Sequence, residues 1–101
     1  MRNNPPVYIM ANRYRGTIYV GVTGALYNRV AAHKEGMFEG FTKRYGLKTL
    51  VWYENHESME DAIRHETQTK AWKRQRKIEL IEKINPNWAD LSDDLIHRPA
   101  R

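Results

Sequence analysis

Two short runs of β-forming residues flank a turn-like pentapeptide near the start of the chain, and no other feature constrains the fold as much. Residues 7–11 (Val-Tyr-Ile-Met-Ala) follow Pro5 and Pro6, which block a helix there. Residues 17–23 (Thr-Ile-Tyr-Val-Gly-Val-Thr) alternate and are strongly β-branched. With Asn12-Arg13-Tyr14-Arg15-Gly16 between them, the two runs read as a β-hairpin that Gly24 ends. From Ala25 to about Glu35 the periodicity is helical through Leu26, Val30 and Met37, and Gly36 and Gly40 punctuate a loop. Residues 49–54 (Thr-Leu-Val-Trp-Tyr-Glu) form a third strand.

Ser58, with Asp61 three residues on, is a capping-box signature that opens a helix through about Ala71. A further helix is expected from about Arg74 to Ile84, where Asn85-Pro86 stops it, because proline disfavours the α conformation in its predecessor. The order β-β-α-β-α-α predicts an α+β fold, a small three-stranded antiparallel sheet flanked by helices. At 101 residues a single domain is expected, burying about 60–65% of its unfolded surface around one core. Its expected bounds are 7–91, after a disordered or extended arm over 1–6 and before a tail over 92–101, with Trp88 and Leu91 docked and the end frayed.

The chain has no cysteine, which excludes a disulfide framework, a thiol nucleophile and a Cys-based zinc site. Its apolar runs fall far short of the roughly 20 residues of a membrane-spanning helix. The N-terminal residues show no signal-peptide core, so a cytoplasmic protein without membrane partners is expected.

The net charge of +5 is informative through its placement. Lys70, Lys73, Arg74, Arg76 and Lys77 follow one another with no acid among them, and Lys43, Arg44 and Lys48 sit beside Phe41 and Tyr45. Cations interleaved with aromatics suit a nucleic-acid backbone, where Lys and Arg displace condensed counterions. A solvated helix face carries such charges too, so a more specific feature must decide.

That feature is a set of polar residues on apolar helix stripes. In the helix from Ser58 the inward positions by 3.6 spacing are Met59, Ala62, Ile63, Glu66 and Lys70. Glu66 falls where a Leu would be expected, and a buried carboxylate is normally paired, hydrogen-bonded or bound to metal. Arg64 and Lys70 are its candidate partners if it is merely a marginal residue. In the helix from Ala25 the stripe is Leu26, Arg29, Val30, His33 and Met37, with Arg29 and His33 one turn apart. Arg29 as a snorkelling residue and His33 as a hydrogen-bonded semi-core residue are the ordinary alternatives. Together the three offer a carboxylate for a hard cation, a guanidinium for phosphate oxygens and an imidazole for protons, a set suited to a phosphodiester. Tyr8 and Tyr19 join them on one sheet face only if the hairpin pairs residues whose numbers sum to an odd value. Gly21 is a poor strand residue unless something must approach the backbone closely.

These residues resemble the GIY-YIG nuclease superfamily, and its small single-domain bacterial members most of all. Pro6-Val7-Tyr8 keeps only the tyrosine of the first motif, and Tyr19-Val20-Gly21, whose tyrosine comes eleven positions after Tyr8, is similar to the family's Tyr-Ile-Gly. Arg29 follows Tyr19 by ten residues and His33 lies four further on, where members carry Arg and then His or Tyr. The block from Glu66 to Arg74 resembles the family's glutamate-bearing helix, and Asn85-Pro86-Asn87-Trp88 with Asp90-Leu91 its closing motif. The chain departs from the pattern at Pro6, which replaces a glycine, and at Val22, where some members carry Lys.

The resemblance implies a metal-dependent endonuclease acting on DNA, with little sequence specificity and a place in DNA repair or recombination. Glu66 would be the protein ligand of one divalent ion, Mg²⁺ or Mn²⁺, with no organic cofactor. Arg29 would stabilise charge on the phosphate, Tyr8 and Tyr19 would orient or deprotonate the attacking water, and His33 would assist proton transfer. Asn85 would either hydrogen-bond the phosphate or terminate its helix. Gly21, Lys43, Arg44, Lys70, Lys73, Arg74 and Lys77 are the expected DNA contacts. The alternatives are a non-catalytic nucleic-acid-binding module on the same fold, favoured by the departures at Pro6 and Val22, and a purely structural domain.

Overall fold

The run Pro-Val-Tyr-Ile-Met-Ala lacks the polar alternation of a half-exposed strand, and it forms strand β1 (Pro6–Ala11), buried at every position. The structure, a computed structural model, describes residues 4–37 and 40–96. The first three residues of the expected arm and residues 97–101 of the expected tail lie outside the described residues. β1 is the middle strand of an antiparallel sheet of order β2-β1-β3, with β2 at Ile18–Val22 and β3 at Thr49–Asn55. Both outer strands are thus the neighbours of the most apolar segment. Helices α1 (Leu26–Lys34), α3 (Met59–Ala71) and α4 (Arg74–Ile84) complete the expected α+β fold.

Two short helices depart from the expected order. Between Gly36 and Gly40, both at positive φ, and strand β3, the expected loop contains α2 (Phe41–Arg44). Past Leu91, where only a tail was expected, lies α5 (Ser92–Ile96), placed beside α1. Helices of four and five residues are too short to display a 3.6-residue period, so the pattern had nothing to show. The Ser58 cap forms as expected: the Asp61 amide donates to Ser58 Oγ at 3.1 Å, and Glu60 and Asp61 place negative charge at the positive end of α3.

The sheet is covered on both sides. On one side Val7, Ile9, Ala11, Val20 and Trp52 pack with Ala62 of α3, Ile78 and Ile81 of α4, and Trp88. On the other, Tyr8, Met10 and Leu50 pack with Leu26 and Val30 of α1 and Leu47, bordered by Tyr19, Tyr53, Leu91 and Leu95. The β1–β3 ladder pairs Ile9 with Trp52 and Met10 with Leu50, so Val51 is the extra residue of a β-bulge. Beyond the bulge the Leu91 amide donates to the Leu50 carbonyl at 2.7 Å, and Asp90 accepts from Lys34 Nζ at 2.6 Å, clasping the closing segment to β3 and α1. Burial alone would raise the Asp90 carboxyl, but its bonds from Lys34 and Ser92 outweigh that and hold it below its ordinary value.

Helix α3 buries a different stripe from the expected one. Met59 and Ile63 are exposed; Ala62 and Thr69 are buried, and Glu66 is half-buried between them in sequence. The inward line therefore runs 62–66–69, leaving Lys70 at its margin. On α1, Leu26, Val30 and His33 are buried, whereas Arg29 stands on the exposed side and Met37 lies beyond the helix end. Among the described residues, no helix is long and apolar enough to cross a membrane.

Candidate active site

The hairpin register decides whether the two tyrosines meet. Tyr8 pairs with Gly21 and Met10 with Tyr19, an odd-sum register, so Tyr8 and Tyr19 stand diagonally on one face. Their ring centroids are 6.3 Å apart. His33, carried in by α1, completes a triangle, 5.8 Å from the Tyr8 ring and 5.9 Å from that of Tyr19. Its Nε2 lies 3.0 Å from the Tyr8 hydroxyl in a buried hydrogen bond.

Gly21 is explained by the same geometry. A Cβ there would lie 2.7 Å from Tyr8 Cζ and Oη and 2.9 Å from Tyr19 Cε2. What approaches the backbone closely is therefore the Tyr8 phenol across the ladder. Gly21, expected as a nucleic-acid contact, is buried beneath that ring.

Glu66 comes to this cluster from α3. Its side chain is 14% exposed and its Oε2 lies 2.6 Å from Lys70 Nζ, so of the two candidate partners Lys70 is the one it takes; Arg64 pairs with Asp61 instead. Lys70 Nζ also stands 5.6 Å from the Tyr19 ring centroid. Arg29 lies close enough for its charge to act on both Tyr8 and His33.

Electrostatics assign the resting protonation states. Burial pushes the Tyr8 phenol well above its ordinary pKa; Tyr19 and Glu66 add to that and Arg29 partly opposes it. Tyr8 is thus a neutral phenol at pH 7. Burial, and then the Arg29 charge, lower the His33 pKa, which keeps its imidazole neutral and able to accept a proton. Lys70 is held in its charged form chiefly by the hydrogen bond to Glu66.

The donor set also tests which metal would fit. Among the described residues no three His, Cys, Asp or Glu side chains come together, so no zinc-type cage of protein ligands is built. A lone half-buried carboxylate suits a hard cation that keeps most of its water, as Mg²⁺ does.

The remaining sequence candidates divide. Asn85 donates both hydrogens of its side-chain amide, to the Val51 carbonyl at 3.0 Å and the Ala89 carbonyl at 2.9 Å, and accepts from the Ala89 amide at 3.1 Å. Having no hydrogen left for a phosphate, it is the helix terminator of the two expected alternatives. Arg74 is partly committed: its Nη2 bonds the carbonyls of Arg15 and Gly16 at 2.5 and 2.7 Å, pinning the hairpin turn to α4, while the residue stays exposed. Lys73 is exposed at the start of α4 and Lys77 half-buried. Lys43 and Arg44 are exposed on α2, beside the half-exposed rings of Phe41 and Tyr45, which lie 4.9 Å apart. Sequence spacing missed the contact of Lys70 with Tyr19, because it joins α3 to β2 and has no local signature.

Comparison with known proteins follows the same lines. Residues 4–79 match the GIY-YIG catalytic domain. A UPF0213 protein of Staphylococcus haemolyticus (strain JCSC1435) is 33% identical over 66 residues, covering 65% of this chain and 80% of that protein. UPF0213 proteins of Pediococcus pentosaceus and of Staphylococcus aureus (strain Mu3) are 34% and 31% identical over 67 residues, covering 66% of this chain and 70% and 82% of those proteins. No solved structure matches. With its fold and its domain match in agreement, the chain belongs to the GIY-YIG family of nucleases.

Proposed function

We propose that this protein is a divalent-metal-dependent DNA endonuclease that hydrolyses phosphodiester bonds. The observation that carries this reading is the Tyr8–His33 hydrogen bond beside the Tyr19 ring on one sheet face, with the Glu66 and Arg29 charges both reaching Tyr8. Glu66 would hold one divalent ion, Mg²⁺ or Mn²⁺, which when bound supplies positive charge to the phosphate and acidifies coordinated water.

The chain's own residues account for the rest. The Arg29 guanidinium takes two phosphate oxygens as charge builds on them. A neutral Tyr8 with a raised pKa is a poor base by itself, but it is hydrogen-bonded to a neutral imidazole. As the attacking water gives its proton to the Tyr8 oxygen, the phenol passes its own to His33 Nε2. Tyr19 orients that water. The new bond from phosphorus to the water oxygen forms as the bond to the leaving sugar oxygen breaks, and that oxygen takes a proton from solvent. Asn85 is left out of the chemistry.

The exposed cations Lys43, Arg44 and Lys73 support a backbone-tracking DNA surface. A module of this size buries roughly 600–1,000 Å² on DNA, too little for extensive base readout, so sequence preference is weak. A cytoplasmic setting, with DNA repair or recombination as the process served, fits a cysteine-free nuclease domain.

The test is incubation with plasmid, single-stranded and branched DNA in Mg²⁺ or Mn²⁺ beside Glu66→Ala. Wild type cleaves and Glu66→Ala loses at least about a hundredfold in rate, the scale of a lost catalytic electrostatic contact. Cleavage that survives Glu66→Ala overturns the assignment. Binding with steep salt dependence and no nicking in any metal marks a non-catalytic DNA-binding module, the reading that Pro6 and Val22 favour.

A further inference from the structure

An exposed Glu–Lys pair one helical turn apart is ordinarily a minor surface contact. The Glu66–Lys70 pair differs in where it sits. The Glu66 side chain is 14% exposed rather than solvated, and the Lys70 ammonium lies 2.6 Å from Oε2 and 5.6 Å from the Tyr19 ring centroid, at the edge of the tyrosine cluster. The Glu66 charge reaches Tyr8, and Tyr19 helps to hold the same ammonium in its charged form. Lys70 therefore stands at the carboxylate where a divalent ion would stand. Two cations a few ångströms apart on one carboxylate repel strongly in a half-buried site. The Lys70 side chain is also 48% exposed on a flexible stem, so its head can leave for solvent without breaking the core.

We infer that Lys70 is a displaceable counter-cation, whose ammonium neutralises Glu66 when no divalent ion is bound and competes with that ion for the carboxylate. The inference rests on the proposed role of Glu66 as metal ligand. It makes Lys70 a positioning residue: the pair keeps a half-buried carboxylate compensated and pointed into the cluster, at the cost of weaker metal binding.

The experiment is Mn²⁺ titration of the full chain by calorimetry, with free Mn²⁺ followed by electron paramagnetic resonance. The variants are Lys70→Met, Lys70→Arg, Lys73→Met and Glu66→Gln, each checked for fold by circular dichroism. Lys70→Met binds Mn²⁺ about two- to fivefold tighter, the factor a partly exposed ion pair is worth. Lys70→Arg, which keeps the charge, stays near wild type. Lys73→Met, which removes an equal charge without touching Glu66, also stays near wild type, and Glu66→Gln loses binding. Equal or weaker affinity in Lys70→Met overturns the competition but leaves the metal reading standing, and so does equal tightening in Lys70→Met and Lys73→Met. Absence of Mn²⁺ binding in both wild type and Lys70→Met overturns the metal reading, and the competition with it.

Discussion

A methyl group added at residue 21 would overlap the Tyr8 ring, with Cζ and Oη only 2.7 Å away. Gly21→Ala is therefore expected to force the phenol off β2 and stretch its bond to His33. The cost is about 1–3 kcal/mol of stability, as for other overpacked sites, together with a loss of cleavage rate. Denaturant unfolding and steady-state kinetics on the same preparation measure both. The sequence showed that a glycine in this strand needs a reason, but the reason is a side chain on the neighbouring strand. Which side chain it is depends on register, and a one-residue slip would have sent Tyr8 to the opposite face. Arg29 shows the same limit. Its spacing from Tyr19 was readable, but a stripe drawn at 3.6 residues placed it with the inward residues, whereas α1 buries a narrower line through Leu26, Val30 and His33 and leaves the guanidinium exposed.

The hairpin turn and α4 form one unit. Arg15, a non-glycine residue at φ 52°, gives Glu82 two bonds of 2.7 and 2.6 Å; Glu82 also accepts from Trp88 Nε1 at 2.7 Å, and Arg74 bonds the turn carbonyls. The Arg15 bond first, and that from Trp88 second, lower the Glu82 carboxyl from an ordinary 4.5 to about 2. A carboxylate whose pKa is depressed in the folded state adds stability above its unfolded pKa and loses it as pH falls through the folded one. The melting temperature should thus fall as pH drops from about 5 to 2. Arg15→Ala should be less stable at neutral pH and show a shallower fall over that window, a difference that calorimetric melts across pH would reveal. At this scale the sequence was legible wherever an element is long or capped by local chemistry: Ser58 opened α3, and Asn85-Pro86 closed α4 at Ile84. It was silent on α2, on α5 and on the Arg15–Glu82–Trp88 connection. The helices are too short to carry a period, and the connection joins residues far apart in the chain.

Across the whole molecule, charge divides into cations that are engaged and cations that are open. Arg15, Lys34, Arg64, Lys70 and Arg74 are tied to carboxylates or carbonyls, whereas Lys43 and Arg44 stand exposed next to Phe41 and Tyr45. The double variant Lys43→Ala/Arg44→Ala is expected to weaken DNA binding uniformly across sequences and to lower the slope of log affinity against log salt by about 2. Gel shifts over a salt series read that slope; an unchanged one removes α2 from the DNA surface. A different consequence follows from β1. It is bonded on both edges and roofed on both faces, so its amide protons should exchange with solvent only when the entire domain opens. Tyr8 is thereby mounted on the stiffest beam of the protein, while Arg29 and Lys70 ride on outward helix surfaces that can adjust. Such a nuclease would keep its proton-handling oxygen set in advance and leave only the charges around it to move when a substrate arrives.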